Sequence, residues 1–277
     1  MIQIHRARPD EIAAAEALWA DTFGDGPEFQ REFYRLCAPE GPLVLTGDGG
    51  LCSMLALPEL ALVLADGRRL RAGYIYALAT APERRGQGCA AMLIETAAGL
   101  ARQHGLDCLL TVPAQPSLFQ FFARLGFQAG FYVREETAMP AAAPAEPVSP
   151  EDYAALREQL LAGFPHTAYT PGQLAFQRAM CPNPGSGLYR LELACGPGCA
   201  AVENWADGPV VKELLCHPGD RRQGAAACAA LCGAPVMVRT PVRSAGGRPF
   251  GAIRWLEGTP SSIRSLKLEG WLGLGWD

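Results

Sequence analysis

The chain lacks any run of about eighteen apolar residues, the length that a helix needs to cross a membrane. It also lacks an excess of positive charge, because its formal net charge is −4, and non-specific nucleic-acid binding requires a basic face. Residues 1–8 read as a short strand and lack the apolar stretch of a signal peptide. We therefore expect a cytoplasmic protein that binds neither a membrane nor nucleic acid.

The sequence contains 10 cysteines but no CxxC pair, the spacing common in zinc and redox sites. Cys195, Cys199 and the Cys216-His217 pair match no zinc pattern, and the Gly-Pro-Gly between the first two is typical of a turn. The thiols are therefore expected to be reduced and mostly buried. The sequence predicts no metal site.

The length of 277 residues, with 49% apolar and 19% charged residues, suits two globular domains. An Ala- and Pro-rich stretch divides the chain, so we place the first domain at residues 1–139, a linker at 140–150 and the second domain at 151–277. Strand-like and helix-like segments alternate in the first domain. This pattern predicts an α/β (α+β) fold with a mixed central sheet and helices on both faces.

Residues 80–91 form the most informative stretch, TAPERRGQGCAA. It joins a strand-like segment at 74–79 to a helix that we predict over 90–103. Small residues allow the backbone to approach a ligand closely, and the free N–H groups at a helix start point toward an anion. Arg84 and Arg85 can add charge-assisted hydrogen bonds. The sequence therefore predicts a pyrophosphate site in this loop.

Two ordered motifs carry a family resemblance. Residues 79–90, ATxPxxRGQGCA, resemble the acetyl-CoA signature of the GNAT N-acetyltransferase superfamily. Residues 117–127, SLFxFFxxLGF, resemble the FYxxLGF segment of that family at the right distance downstream. The resemblance covers about residues 1–135 and implies a GNAT fold. The second half resembles a degenerate GNAT domain, so the whole chain is similar to tandem, Eis-like acetyltransferases.

The resemblance implies acetyl-CoA, or another short acyl-CoA, as the cofactor. It implies direct transfer of the acetyl group to a primary amine of a small-molecule or peptide acceptor. The oligomeric state and the acceptor itself stay undefined. The cofactor-binding residues implied on the splayed strand, in the pyrophosphate loop and near the thiol are Ala77, Leu78, Ala79, Thr80, Arg85, Gly86, Gln87, Gly88, Cys89, Ala90, Ala91, Ser117 and Phe122.

The catalytic residues are less well defined. Many family members carry a tyrosine where this chain has Phe122, and phenylalanine has no proton to donate. Tyr74 and Tyr76 alternate onto one face of the strand before the loop, and Tyr76 either donates a proton or only packs. Resemblance to Eis-like enzymes implies another candidate, the terminal carboxylate of Asp277, which follows an apolar segment predicted to be ordered; the alternative is an end that only packs. A nucleophilic Cys89 is a further alternative.

The missing tyrosine also favours a second function, a catalytically weak acetyl-CoA-binding regulatory protein. A partial internal repeat bears on the second domain. When Pro82 is aligned with Pro218 without gaps, identical residues coincide at Arg85 and Arg221, Gln87 and Gln223, Gly88 and Gly224, Ala90 and Ala226, and Ala91 and Ala227. Arg222 replaces Gly86 in the second copy. We therefore expect the second domain to be a scaffold beside the acceptor rather than a second CoA site.

Overall fold

The computed structural model of the protein describes residues 2–141 and 144–276. It divides into two compact units. Unit 1 comprises Met1–Leu60, Leu70–Gln128 and Ala252–Leu266, and unit 2 comprises Ala61–Arg69, Ala129–Gly251 and Lys267–Asp277. These boundaries differ from the predicted division at 139 and 151, because each unit uses strands from distant parts of the sequence.

The strands are β1 (Gln3–Arg6), β2 (Leu43–Gly47), β3 (Gly50–Ala56), β4 (Glu59–Val63), β5 (Arg69–Thr80), β6 (Cys108–Thr111), β7 (Gln128–Ala138), β8 (Ala145–Pro147), β9 (His166–Ala168), β10 (Gly187–Leu193), β11 (Gly196–Trp205), β12 (Gly208–Leu215), β13 (Val236–Pro241) and β14 (Arg248–Trp255). The α-helices are α1 (Ile12–Phe23), α2 (Pro27–Leu36), α3 (Cys89–Gln103), α4 (Leu118–Arg124), α5 (Pro150–Leu160), α6 (Pro171–Met180), α7 (Arg221–Cys232) and α8 (Ser261–Arg264). Of the helices in residues 2–141 and 144–276, none has the length and apolar character needed to cross a membrane.

Unit 1 contains a mixed sheet, as predicted. The strands β1, β2, β3 and β5 pair antiparallel in succession, and β5 then pairs parallel with β6. Residues 252–255 of β14 complete this part of the sheet by pairing antiparallel with β6. The helix predicted over 90–103 is α3, and one face of it is buried in the core; its members include Ile94, Ala97, Ala98 and Ala101.

Unit 2 repeats the order of elements found in unit 1. Apart from the short strands β4 and β9, each unit has a strand followed by two α-helices, three further strands, an α-helix and a strand, here β8, α5, α6, β10, β11, β12, α7 and β13. The parallel pair of unit 2 is β12 with β13, and residues 133–138 of β7 pair antiparallel with β13. This common order is what a tandem repeat produces.

The predicted linker at 140–150 is partly wrong, because it contains a strand. Within it, β8 pairs antiparallel with β10, with Pro147 opposite Tyr189. A proline has no N–H to donate to a sheet but is tolerated on an edge strand. The Ala- and Pro-rich composition of residues 140–150 therefore did not predict β8. Helix α5 also begins inside the range, at Pro150, where the Ser149 side chain accepts a hydrogen bond from the Asp152 N–H at 3.0 Å.

A buried ion pair lies at the centre of unit 2. The side chains of Arg157 and Glu213 are 1% and 0% exposed. One carboxylate oxygen of Glu213 accepts hydrogen bonds from Arg157 Nε at 2.8 Å and from the Tyr153 hydroxyl at 2.9 Å. The other accepts from Arg157 Nη2 at 3.0 Å and from Trp271 Nε1. Four donors therefore surround a single carboxylate.

The segment 270–276 is ordered against this ion pair, which confirms the predicted ordered end. The hydroxyls of Thr167 and Tyr169 both donate to the Leu272 carbonyl. Gly273 has φ +80°, and a Cβ there would lie 2.6 Å from Arg157 Nη2 and 2.7 Å from Glu213 Oε2. Only glycine fits this approach of the backbone to the charges. The apolar side chains of the segment are buried, namely Trp271, Leu272, Leu274 and Trp276.

Candidate ligand-binding site of unit 1

The strands β5 and β6 separate in the middle of the sheet of unit 1. They pair in parallel from Ala72 with Cys108 to Ile75 with Thr111, whereas β5 continues to Thr80. Residues 76–80 therefore extend beyond the paired part of β6. A strand that leaves its neighbour exposes backbone N–H and C=O groups, which an extended ligand can use.

A β-bulge lies on β5 at the point of separation. Ala77 has φ +48°, and the register between β3 and β5 shifts between Met54 and Ala56. A non-glycine residue at positive φ costs about 1–3 kcal/mol, and such residues are concentrated at functional sites. Beyond the bulge, the buried Ser53 hydroxyl donates to the Ala79 carbonyl at 2.6 Å, which fixes the end of the strand.

The loop between β5 and α3 forms an open cradle of backbone N–H groups, which we call the glycine cradle (residues 85–91). Gly86 and Gly88 have φ +74° and +81°, and a Cβ on either would have no heavy atom of the described chain within 4 Å. The N–H of Met92 donates to the Gly88 carbonyl at 3.0 Å. The three N–H groups before it, on residues 89–91, therefore precede the first intrahelical bond.

Side chains around the glycine cradle add positive charge. The exposed Arg85 side chain donates through Nε to the Thr80 carbonyl at 3.3 Å, and Arg84 Nη2 donates to the Asp48 carbonyl at 3.0 Å. Gln87 Nε2 bonds back to the Glu83 carbonyl at 2.9 Å. Together with the positive end of the α3 dipole, these groups favour an anion such as a phosphate.

Three other residues were predicted for this site, namely Cys89, Phe122 and Ser117, and the first two are buried. The Cys89 side chain is 5% exposed within the core of unit 1, so the alternative of an accessible cysteine nucleophile is wrong. Phe122, also 5% exposed, belongs to the same core cluster and packs edge-on against Phe127 at 5.4 Å. Ser117 is exposed at the N-terminal end of α4, where its side chain makes no capping hydrogen bond with the described residues.

Aromatic residues from α1, α2 and β5 pack together directly before the bulge. The Tyr76 ring stacks on Phe33 at 4.8 Å and meets Trp19 edge-on at 5.7 Å. Tyr74 and Tyr76 lie 5.9 Å apart on one face of the strand, as predicted. Tyr34 meets Trp19 at 5.5 Å, and its hydroxyl is buried with no hydrogen-bond partner in the described part of the chain. We call these five residues the aromatic cluster.

A half-buried carboxylate adjoins the aromatic cluster. Trp19 Nε1 donates to Asp25 Oδ2 at 2.7 Å, and burial raises the pKa of Asp25 above its ordinary 3.8 although this hydrogen bond opposes the shift. A continuous series of contacts thus runs from Asp25 through Trp19 to Tyr76, which precedes Ala77 at the bulge. Asp25 was not among the predicted catalytic residues, although the Gly-Asp-Gly turn at 24–26 was an available signal.

The second copy of the loop, in unit 2, has no such cradle. A 3₁₀ turn at Pro218–Asp220 leads directly into α7 at Arg221, and no residue from 209 to 232 has a positive φ. Gly224, aligned with Gly88, lies inside α7, where a Cβ would be 3.2 Å from Leu214 Cδ1. This geometry is that of a packed helix rather than an anion site.

A pocket of about 470 Å³ lies elsewhere in unit 1, beside the C-terminal half of α3. Thr96, Leu100 and His104 line it, and these residues lie roughly 12–24 Å along the helix from Gly88. The pocket includes none of the predicted site residues. The predicted Asp277, for its part, lies outside the described residues, so its carboxylate stays a prediction.

The comparisons with known proteins agree with this geometry. A family model described as an acetyltransferase (GNAT) domain matches residues 3–130. The chain is similar to a GCN5-related N-acetyltransferase from Anabaena variabilis (17% identity, 92% of this chain and 72% of that chain, TM-score 0.67). It is also similar to a GCN5-related N-acetyltransferase from Kribbella flavida (13%, 92% and 71%, TM-score 0.65) and to Eis1 from Mycobacterium abscessus (14%, 92% and 73%, TM-score 0.61). No curated protein matches the chain.

Proposed function

We propose that this chain, whose residues 3–130 match the acetyltransferase (GNAT) family model, transfers an acetyl group from acetyl-CoA, or another short acyl-CoA, to a primary amine. The acceptor is a small molecule or a peptide. One observation carries the proposal: the strand that separates from β6 at Ile75 runs into the glycine cradle, so one continuous path offers backbone hydrogen bonds and then an anion site.

The proposed cofactor follows that path. Its pantetheine arm lies along residues 77–80 and pairs with their backbone, as an added strand does. Its pyrophosphate lies in the glycine cradle, held by N–H groups of residues 86–91 and by the Arg85 side chain. The contacts of Ser117 and Phe122 near the thiol rest on the family resemblance alone and stay predictions.

The proposed acceptor site lies beside Asp25 and Tyr76, which are partly exposed, whereas Trp19 and Phe33 of the aromatic cluster are fully buried. An ammonium group is attracted both by a carboxylate and by aromatic faces. The acceptor must lose a proton before its nitrogen attacks the thioester carbon, and the thiolate released when the C–S bond breaks must gain one. Asp25 is the candidate for the first transfer. Tyr76 stays a candidate donor to the thiolate, although its ring contacts fit packing as well.

Thermal unfolding with acetyl-CoA tests the cofactor site. A ligand at one hundred times its Kd stabilises the folded state by about 2.7 kcal/mol. Gly88→Glu should abolish this shift, because it places a carboxylate in the anion site. Gly67→Glu is the matched control, since Gly67 has φ +86° and open space around its Cβ. A shift that persists in Gly88→Glu would refute the site.

Release of free CoA thiol across a panel of amines tests the reaction. Tyr76→Phe keeps the ring and removes only the hydroxyl, so an unchanged kcat would leave Tyr76 as a packing residue. Removal of Asp277 tests the predicted carboxylate in the same assay. The second candidate function, an acyl-CoA-binding regulatory protein, is favoured by the phenylalanine at 122; a cofactor shift without thiol release on any amine would support it.

A further inference from the structure

Unit 2 carries a cluster of metal-ligating side chains at the start of α7. One ligand atom from each of Cys195, His217 and Asp220 lies within 4.8 Å of the other two. Cys195 lies in the turn between β10 and β11, and the other two lie between β12 and α7. Because a strand hairpin separates the cysteine from the other two in sequence, the spacing of residues along the chain did not predict the cluster.

Backbone hydrogen bonds hold the cluster in place. The Asp220 side chain is 3% exposed, and its Oδ2 accepts the N–H of Cys195 at 2.8 Å. His217 Nδ1 accepts the N–H of Gly219 at 3.2 Å.

Gly219 provides a second, independent observation. It is not among the residues with positive φ, so its backbone conformation does not require glycine. A Cβ at this position would lie 3.2 Å from His217 Nδ1 and 3.6 Å from Cys195 Sγ. Any side chain at position 219 would therefore contact both the imidazole and the thiol.

The cluster occupies the place that corresponds to the start of the glycine cradle in unit 1. In the alignment of Pro82 with Pro218, Asp220 takes the position of Arg84. Its carboxylate lies at the N-terminal end of α7, where a phosphate would otherwise bind. The exchange of an arginine for a buried aspartate disfavours an anion here and favours a cation.

We propose that unit 2 binds one Zn²⁺ ion through Cys195, His217 and Asp220, and that the ion joins the β10–β11 turn to the start of α7. A thiolate, an imidazole and a carboxylate are zinc ligands, whereas Ca²⁺ and Mg²⁺ prefer oxygen ligands alone. Bond lengths of about 2.0–2.3 Å place tetrahedral ligand atoms about 3.3–3.7 Å apart. The exposed Cys195 and His217 side chains can move to shorten the distances between ligand atoms from at most 4.8 Å to this range. On binding, the thiol proton passes to solvent, and a water molecule fills the fourth position.

Metal content and cobalt spectroscopy of the full chain test the proposal. We expect one Zn²⁺ per chain after dialysis, and a thiolate-to-cobalt charge-transfer band when Co²⁺ replaces it. Cys195→Ser should lose both signals. Cys232→Ser is the matched control and should keep both signals. Cys232 is partly exposed and lies at the C-terminal end of α7, outside the cluster. Equal metal uptake by Cys195→Ser and the wild type would overturn the proposal.

Gly219→Ala probes the geometry without removing a ligand. We expect the Kd for Zn²⁺ to rise by about tenfold or more, as when groups around a metal site are changed. Asp220→Asn keeps an acceptor for the Cys195 N–H, so circular dichroism without metal should stay native-like while zinc binding is lost. Absence of bound zinc and of a cobalt band in the folded wild type would refute the site.

Discussion

Substitution of Glu213 by glutamine tests whether the buried ion pair holds unit 2 together. The carboxylate accepts from Arg157 twice, from Tyr153 and from Trp271. A glutamine side chain presents one acceptor and one amide donor, so its NH₂ group would face N–H donors. Arg157 would also remain charged and fully buried, and its remaining carboxylate partner would be the partly exposed Glu158, 3.7 Å from Arg157 Nη1.

The expected cost is large because the site excludes water. Breaking one side of a buried ion pair typically costs about 3–5 kcal/mol, which corresponds to a fall in Tm of roughly 6–20 °C for a chain of this size. The matched control is Glu257→Gln at the exposed pair of Arg102 with Glu257, where the N–O distance is also 2.8 Å but the Glu257 side chain is 82% exposed. That change should cost less than about 1 kcal/mol.

Urea denaturation followed by circular dichroism and tryptophan fluorescence measures both variants. Trp271 and Trp276, two of the five tryptophans, are buried in unit 2, so part of the fluorescence reports on the segment that the ion pair anchors. If Glu213→Gln unfolds within about 1 kcal/mol of the wild type, the pair does not carry the stability assigned to it here.

Three further predictions concern unit 1. Hydrogen bonds from Arg8 lower the pKa of Glu11 to about 2, so its contribution to stability is complete above the ordinary 4.5 and is lost as the pH falls through 2. Glu11→Gln should lower the free energy of unfolding by up to about 1 kcal/mol at pH 7 and by less at pH 2, where about half of the carboxyl is protonated, measured in urea. Ala77→Gly should leave that free energy unchanged or raise it, because glycine adopts φ +48° freely, whereas Ala79→Gly should lower it by about 0.5–1 kcal/mol; equal losses would contradict the strain at Ala77. Asp25→Asn keeps an acceptor for Trp19 Nε1, so kcat/KM should fall by about 10²-fold or more without loss of stability; unchanged kcat/KM would remove Asp25 from the mechanism.

The sequence predicted best what depends on neighbouring residues. The glycine cradle and α3 follow from a strand, small residues and an apolar face at helical spacing, all within residues 74–103. Positive φ at Gly86 and Gly88 follows from the residue type itself. The prediction that Tyr74 and Tyr76 share a face needed only the period of a strand.

Features that depend on distant residues were not predictable in this way. The bulge falls on Ala77, an ordinary residue whose conformation depends on the pairing with β3. Asp25 reaches the aromatic cluster only because α1 folds Trp19 against β5. The helix α6 and the strands β8, β9 and β14 were also missed, since their short or Pro-containing sequences show no clear period.

The division of strands between the units has a consequence for synthesis. Most of unit 1 is complete near residue 128, with β6 paired to β5, but β6 gains its second neighbour only when residues 252–255 have left the ribosome. At about 5–20 residues per second, the unpaired edge of β6 waits roughly 6–25 s. An exposed strand edge is a template for aggregation. We therefore expect ribosome-bound chains that end near residue 200 to engage chaperones, although they already carry the whole glycine cradle.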